Sequence, residues 1–280
     1  MNPHKQLASA VVENIKKLPS FRKIPVNRLW LLANDLSLVV LGIRTGYLLD
    51  AFAVPNPVDT FTCLINQLRM HRPEFSFIVH IYEPTSDQSF FVNSHLFQRM
   101  HQCSSFSVSL QQDQSCCPDY TSFVLLSESP ALLSNPPDDL RESINNLCDA
   151  IASTRGPSIS LPDGLTQQIV IPMAAFLLEY PVAYIPPSFD QVTSLNSTSL
   201  TVYEGSLHFA SQGTQPSYQH TVIKFSCPTA LTSQHRLLSP DDLQDRVTAH
   251  FRSRIAEAGL SPSTSFIVER SIQMHDRVGL

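Results

Sequence analysis

Apolar positions recur at helical spacing in two N-terminal stretches. Leu7, Ala10, Val11, Ile15 and Leu18 mark the first, over residues 4–18. After breaks at Pro19 and Pro25, Leu29, Leu32, Ala33, Leu36, Val39, Val40 and Ile43 form the broad stripe that a helix presents to a sheet. Gly46 is expected to end that helix, and Tyr47-Leu48-Leu49 reads as a short buried strand finishing at Asp50. Three later helix starts share one chemistry: Asn56-Pro57-Val58-Asp59, Asn135-Pro136-Pro137-Asp138-Asp139 and Ser239-Pro240-Asp241-Asp242. Each sets a capping side chain before Pro and puts carboxylates in the first turn, where free amides and the helix dipole favour them. They predict helices over 57–70, 137–153 and 240–258, the last ending at Gly259; residues 173–179 favour another, closed by Pro181.

Runs of branched and aromatic residues predict strands at 75–82, 90–92, 122–126, 169–171 or 181–185, 200–203, 207–210, 221–225 and 265–268. Glu204-Gly205-Ser206 reads as a hairpin turn between two of them. Helix and strand alternate in the N-terminal half, whereas strands follow one another from 181 to 227. The expected fold is therefore α/β, with α+β as its variant: a single mixed sheet with helices on both faces and an antiparallel extension in residues 181–227. One globular domain is expected over 1–280, with residues 1–20 forming a peripheral N-terminal helix. The polar stretches 102–120 and 186–199 read as loosely held loops.

Composition narrows the class. Hydrophobic residues are 42% of the chain, enough for a sizeable core, while charged residues are only 15%. A formal net charge of -5 gives no electrostatic reason to expect nucleic acid or an anionic membrane as partner. No apolar run approaches the roughly 18 residues that span a bilayer, and Met1–Lys17 lacks a signal-peptide core. Six cysteines (Cys63, Cys103, Cys116, Cys117, Cys148, Cys227) spread along such a chain read as reduced thiols, which makes the expected compartment cytoplasmic or nuclear.

Four segments carry a resemblance: Gly46-Tyr47-Leu48-Leu49-Asp50, then Leu177-Leu178-Glu179-Tyr180-Pro181-Val182-Ala183-Tyr184, Phe225-Ser226-Cys227-Pro228, and the helix around Phe251-Arg252. In order and spacing the chain resembles an animal family labelled chromosome 1 open reading frame 74, over about residues 29–268, with Tyr180-Pro181-Val182-Ala183-Tyr184 the most specific piece. The family has no assigned activity, so the resemblance implies a folded intracellular domain and places no functional residue.

The usual catalytic motifs are absent: with Gly at 8 there is no Gly-rich phosphate loop, and no Gly-x-Ser-x-Gly, His-Glu-x-x-His or Cys-x-x-Cys occurs. Asp50, just past a strand end, is the foremost candidate, as base, nucleophile or metal ligand in a strand-end crevice. The plainer and preferred reading is a turn residue bonding its own loop amides. Tyr184, beside Tyr180, could bind a polar ligand through its hydroxyl, although a core ring bonded to backbone is preferred. His80 shares a strand face with Ile78 and Tyr82 and reads first as a buried, satisfied histidine, second as a catalytic one. His95, His101 and Cys103, near Cys116 and Cys117, carry zinc-binding atoms at a spacing that matches no usual knuckle, so no metal is expected. Arg69, His71 and Arg72 end one helix and Arg252 and Arg254 another; both groups read as solvated faces.

Two function classes follow. The preferred one is a non-enzymatic protein-interaction domain whose polar loops, with Ser129-Pro130, Ser239-Pro240 and Ser261-Pro262, suit a protein partner or phosphorylation. The alternative is an enzyme or degenerate enzyme binding a small polar ligand near Asp50, joined by Asp59, His80 and Tyr184. No cofactor is expected under either.

Overall fold

The computed structural model describes residues 3–104, 120–127, 129–188, 198–210, 217–261 and 263–274, without the side chains of 100–104. In chain order these form α1 (Pro3–Ile15), α2 (Val26–Val40), β1 (Gly46–Leu48), α3 (Pro57–His71), β2 (Ile78–Glu83), β3 (Gln88–Asn93) and α4 (Ser94–Ser104). Next come β4 (Ser122–Leu125), β5 (Ala131–Leu132), α5 (Asp138–Ser153), β6 (Ser158–Ser160), α6 (Gln167–Leu177) and β7 (Val182–Ile185). The last are β8 (Ser199–Phe209), β9 (Tyr218–Pro228), α7 (Thr229–Thr232), α8 (Pro240–Glu257) and β10 (Thr264–Met274).

The strands make three sheets among the described residues, two mixed and one antiparallel, so the single sheet expected from the sequence is corrected. The first has the order β1-β3-β2-β6, parallel only between β2 and β6. The second, β5-β4-β7, pairs β4 with β7 in parallel. The third, β10-β8-β9, is antiparallel throughout. The extension envisaged over 181–227 is split: Val182–Ile185 joins β4, while β8 pairs with both β9 and β10. Alternation of apolar residues locates a strand and its buried face but carries no information about its neighbour.

The first sheet is covered on both faces, as the helix stripes predicted. Phe91 and Ile78 face a core of Leu7, Ile15, Leu32, Leu36, Phe61 and Leu64 from α1, α2 and α3. Val79, Ile81, Phe90 and Val92 face the opposite core of Phe97, Leu140, Leu147 and Met173 from α4, α5 and α6. A third core joins Leu207, Phe225 and Phe266 to Val247 and Phe251 of α8.

Other local expectations also change. Ser199–Phe209 is one strand, because Gly205 is a close-packing position and not a turn: a Cβ there would lie 2.6 Å from Phe266 Cζ and 2.8 Å from Ile223 Cγ2. Residues 169–171 lie inside α6, and 73–77 form a 3-10 turn ahead of β2. Helix α2 stops at Val40, with Gly42 rather than Gly46 in the left-handed region (φ +70). Of the three expected side-chain caps only Ser239 acts, accepting the Asp242 N–H at 3.3 Å. Asn56 is itself left-handed (φ 47) and makes no side-chain cap bond, while α5 starts directly after Pro137. Most of the two polar loops, at 105–119 and 189–197, lies outside the described residues.

Candidate functional site

Asp50 follows β1 by two residues in the connection to α3. It is exposed and lines a half-open cavity of about 310 Å³, at the low end of the range for small-molecule sites. Leu49, Val54, Pro57 and Phe61 supply apolar wall; Arg28, Asp50, Asp87 and Ser89 supply polar groups. Asp87 sits at φ 53 in the β2–β3 turn and accepts the Tyr82 hydroxyl at 2.9 Å. Arg28 reaches over from α2 to donate to the Ala51 carbonyl at 2.9 Å, bracing the loop that carries Asp50. Strand β1 is an edge strand paired antiparallel, so this is not the crevice at the ends of parallel strands that the sequence suggested. The cavity is bounded by the 49–54 connection, the start of α3, Arg28 of α2, the β2–β3 turn and β3.

Behind the cavity wall lies His80, fully buried with both ring nitrogens engaged. Nε2 is 3.0 Å from Ser89 Oγ and Nδ1 3.2 Å from Ser158 Oγ. Strand pairing explains the contact: Tyr82 is opposite Ser89, which places Ser89 diagonally across from His80 on the same face. Ser158 accepts from Thr62 at 2.9 Å and donates, over a long 3.5 Å, to the Val58 carbonyl. This pattern assigns the ring proton to Nδ1, facing Ser158, and leaves Nε2 to accept from Ser89. Burial pushes His80 down to about 3, so the ring is neutral. Ser89 thus lines the cavity with Asp50 and contacts His80. Asp59 is exposed in the first turn of α3. Tyr184 lies in the second sheet, sharing a 3.0 Å hydrogen bond with Ser226 Oγ, and does not line this cavity.

A second polar cluster surrounds Glu179, which follows α6 at φ 58 and is almost fully buried. Arg254 of α8 donates to it twice, Nη1 to Oε2 and Nη2 to Oε1, each at 2.5 Å. The Thr45 N–H adds a bond of 3.0 Å to Oε2, and His250 Nε2 stands 3.3 Å from Oε1 without hydrogen-bond alignment. Burial alone would raise the carboxyl; the Arg254 charge, with His250, instead holds it well below the usual carboxylate range. The Tyr120 ring lies tilted against His250 at 4.6 Å, and its buried hydroxyl has no hydrogen-bond partner among the described residues. Arg254, read from the sequence as solvated, is therefore corrected: it is 8% exposed, because it continues the buried row Leu243, Val247 and Phe251 of α8, with Arg246 and His250 half-buried. The same buried use of polar groups occurs around Asp35, which binds Arg44 Nη1 at 2.5 Å and His220 Nε2 at 3.1 Å. Beside it His4 donates through Nε2 to the Asn34 carbonyl and accepts the Tyr218 hydroxyl at Nδ1, both at 3.2 Å.

Of the zinc candidates only His95 has a described side chain. It is exposed on α4 with its ring 5.2 Å from Phe77; the side chains of His101 and Cys103, and all of Cys116 and Cys117, lie outside the described residues. Among the described residues no helix is long and apolar enough to cross a membrane. In comparisons with known proteins, no family model, no curated protein and no solved structure matches the chain.

Proposed function

We propose that this protein binds a small polar molecule in the cavity beside Asp50. The observation that carries the reading is the lining, where Arg28, Asp50, Asp87 and Ser89 converge beside Leu49, Val54, Pro57 and Phe61, polar residues meeting apolar ones in a concave site. The test is a melting screen against amines, polyols, amino acids and sugars. Ligands that stabilise the wild type and not Asp50→Asn support the reading; a flat screen removes it.

The second reading, a protein-interaction domain, is favoured by α2, where Val26, Trp30 and Leu31 are 55%, 38% and 47% exposed. A partner captured by the wild type and not by Trp30→Glu would support it, and equal capture would remove it. A cytoplasmic or nuclear location is our proposal for either case, in keeping with the free thiols of Cys63, Cys148 and Cys227. Membership of the family the sequence resembles is likewise a proposal. Three of the segments that suggest it, around Gly46, Glu179 and Phe251, come together at the Glu179 cluster.

A further inference from the structure

We infer that Ser89 is a nucleophile with His80 as its proton acceptor, and that the cavity accepts small esters bearing hydroxyl or amino groups. The inference rests on the cavity being a ligand site, as proposed above.

Three observations carry it. Ser89 Oγ lies 3.0 Å from Nε2 of a ring whose Nδ1 is 3.2 Å from Ser158 Oγ, itself bonded by Thr62; nucleophile, base and orienting group are thus in series. Ser89 lines the cavity beside Phe61, whose ring packs 4.8 Å from the His80 ring. Arg28 lines the same cavity and spends Nη1 on Ala51, leaving N–H groups for a developing oxyanion, while Asp50 and Asp87 accept donors from the rest of the substrate.

In the step, Ser89 Oγ bonds to the ester carbonyl carbon as its proton passes to His80 Nε2. The tetrahedral adduct then collapses, breaking the bond to the alkoxy oxygen, which leaves as the alcohol with the proton from His80. Water repeats the sequence on the acyl-serine and releases the acid. The partner on Nδ1 is a hydroxyl, so the imidazolium formed in each half gains no counter-charge. Burial disfavours the charged ring as well, so acylation and deacylation are both slow.

The experiment treats the full chain with a fluorophosphonate probe, which forms a phosphorus–oxygen bond to serine as fluoride leaves, and maps the adduct by peptide mass spectrometry. The expected result is one adduct, on Ser89, absent from Ser89→Ala. Labelling should slow about ten-fold or more in Ser158→Ala and recover in Ser158→Thr. An adduct elsewhere, or none on the folded wild type, overturns the inference. The melting screen run on the same preparation separates the two failures: stabilisation without labelling removes only the nucleophile, and a flat screen without labelling removes the ligand site as well.

Discussion

Arg254 grips Glu179 from α8 with a two-pronged ion pair, both bonds at 2.5 Å, and the two side chains are 8% and 1% exposed. This joins the end of α6 to α8, and Thr45, just before β1, is tied to the same carboxylate. A buried pair of this kind is felt most when one partner is lost, because the remaining charge has no water to return to. Arg254→Met alone should cost about 3–5 kcal/mol. The double replacement Glu179→Leu with Arg254→Met should cost clearly less than the sum of the two single changes. Urea unfolding of the four proteins of this cycle checks it; strict additivity would mean that the pair is not coupled.

Acid should weaken the fold in two stages. Burial holds His4 at about 4 and His80 at about 3, both below the unfolded value near 6.5. Between these limits the unfolded chain binds protons that the folded chain refuses, so stability falls as pH falls. Each histidine contributes fully above about pH 6.5 and loses about 1.4 kcal/mol per pH unit below it. From pH 7.5 to pH 5 the pair should remove on the order of 3–4 kcal/mol, and His4→Gln should remove about half of that dependence. Glu179 acts lower: its folded value is depressed, so its contribution is whole above the unfolded value near 4.3 and is lost only on further acidification. Denaturation curves at a series of pH values check both stages, and a flat profile from pH 7.5 to 5 would contradict the first.

Gly46→Ala tests how tightly β1 is set against α6. A Cβ at this position would meet the Leu177 carbonyl oxygen at 2.4 Å, and a backbone atom cannot swing aside as a side chain can. The expected loss is about 1–3 kcal/mol, measured by chemical denaturation. Gly164→Ala is the control for added chain stiffness, since nothing lies within 4 Å of its Cβ position although its own φ of +79 carries strain. A change at Gly46 smaller than at Gly164 would contradict the packing account.

Periodicity made the helices legible. α2, α3, α5 and α8 each lie within a few residues of their expected spans because their apolar stripes face real cores. Strands were found but not partnered: nothing in Val182–Ile185 states that it runs parallel to β4. Gly205 misled because a glycine that turns and a glycine that lets a phenylalanine approach look alike in sequence. At the candidate site, Asp50 was legible as a polar residue at a strand end. Arg28, Asp87 and Ser89 were not, since they come from α2, the β2–β3 turn and β3 and meet only once the chain is folded. Glu179 was hidden in an apolar run, and the signal for its partner was that Arg254 continues the apolar row Leu243, Val247 and Phe251.

Exposed Asp50 contributes little to folding, so Asp50→Asn should change stability by no more than about 0.5 kcal/mol while altering what the cavity holds. Calorimetric titration of the best-stabilising small molecule into the wild type and into Asp50→Asn is the most direct measurement. One-to-one binding to the wild type, weakened about ten-fold or more by the substitution and accompanied by equal melting temperatures of the free proteins, is the result expected. Equal affinity for both proteins, or no heat with any candidate molecule, would contradict a ligand site at Asp50.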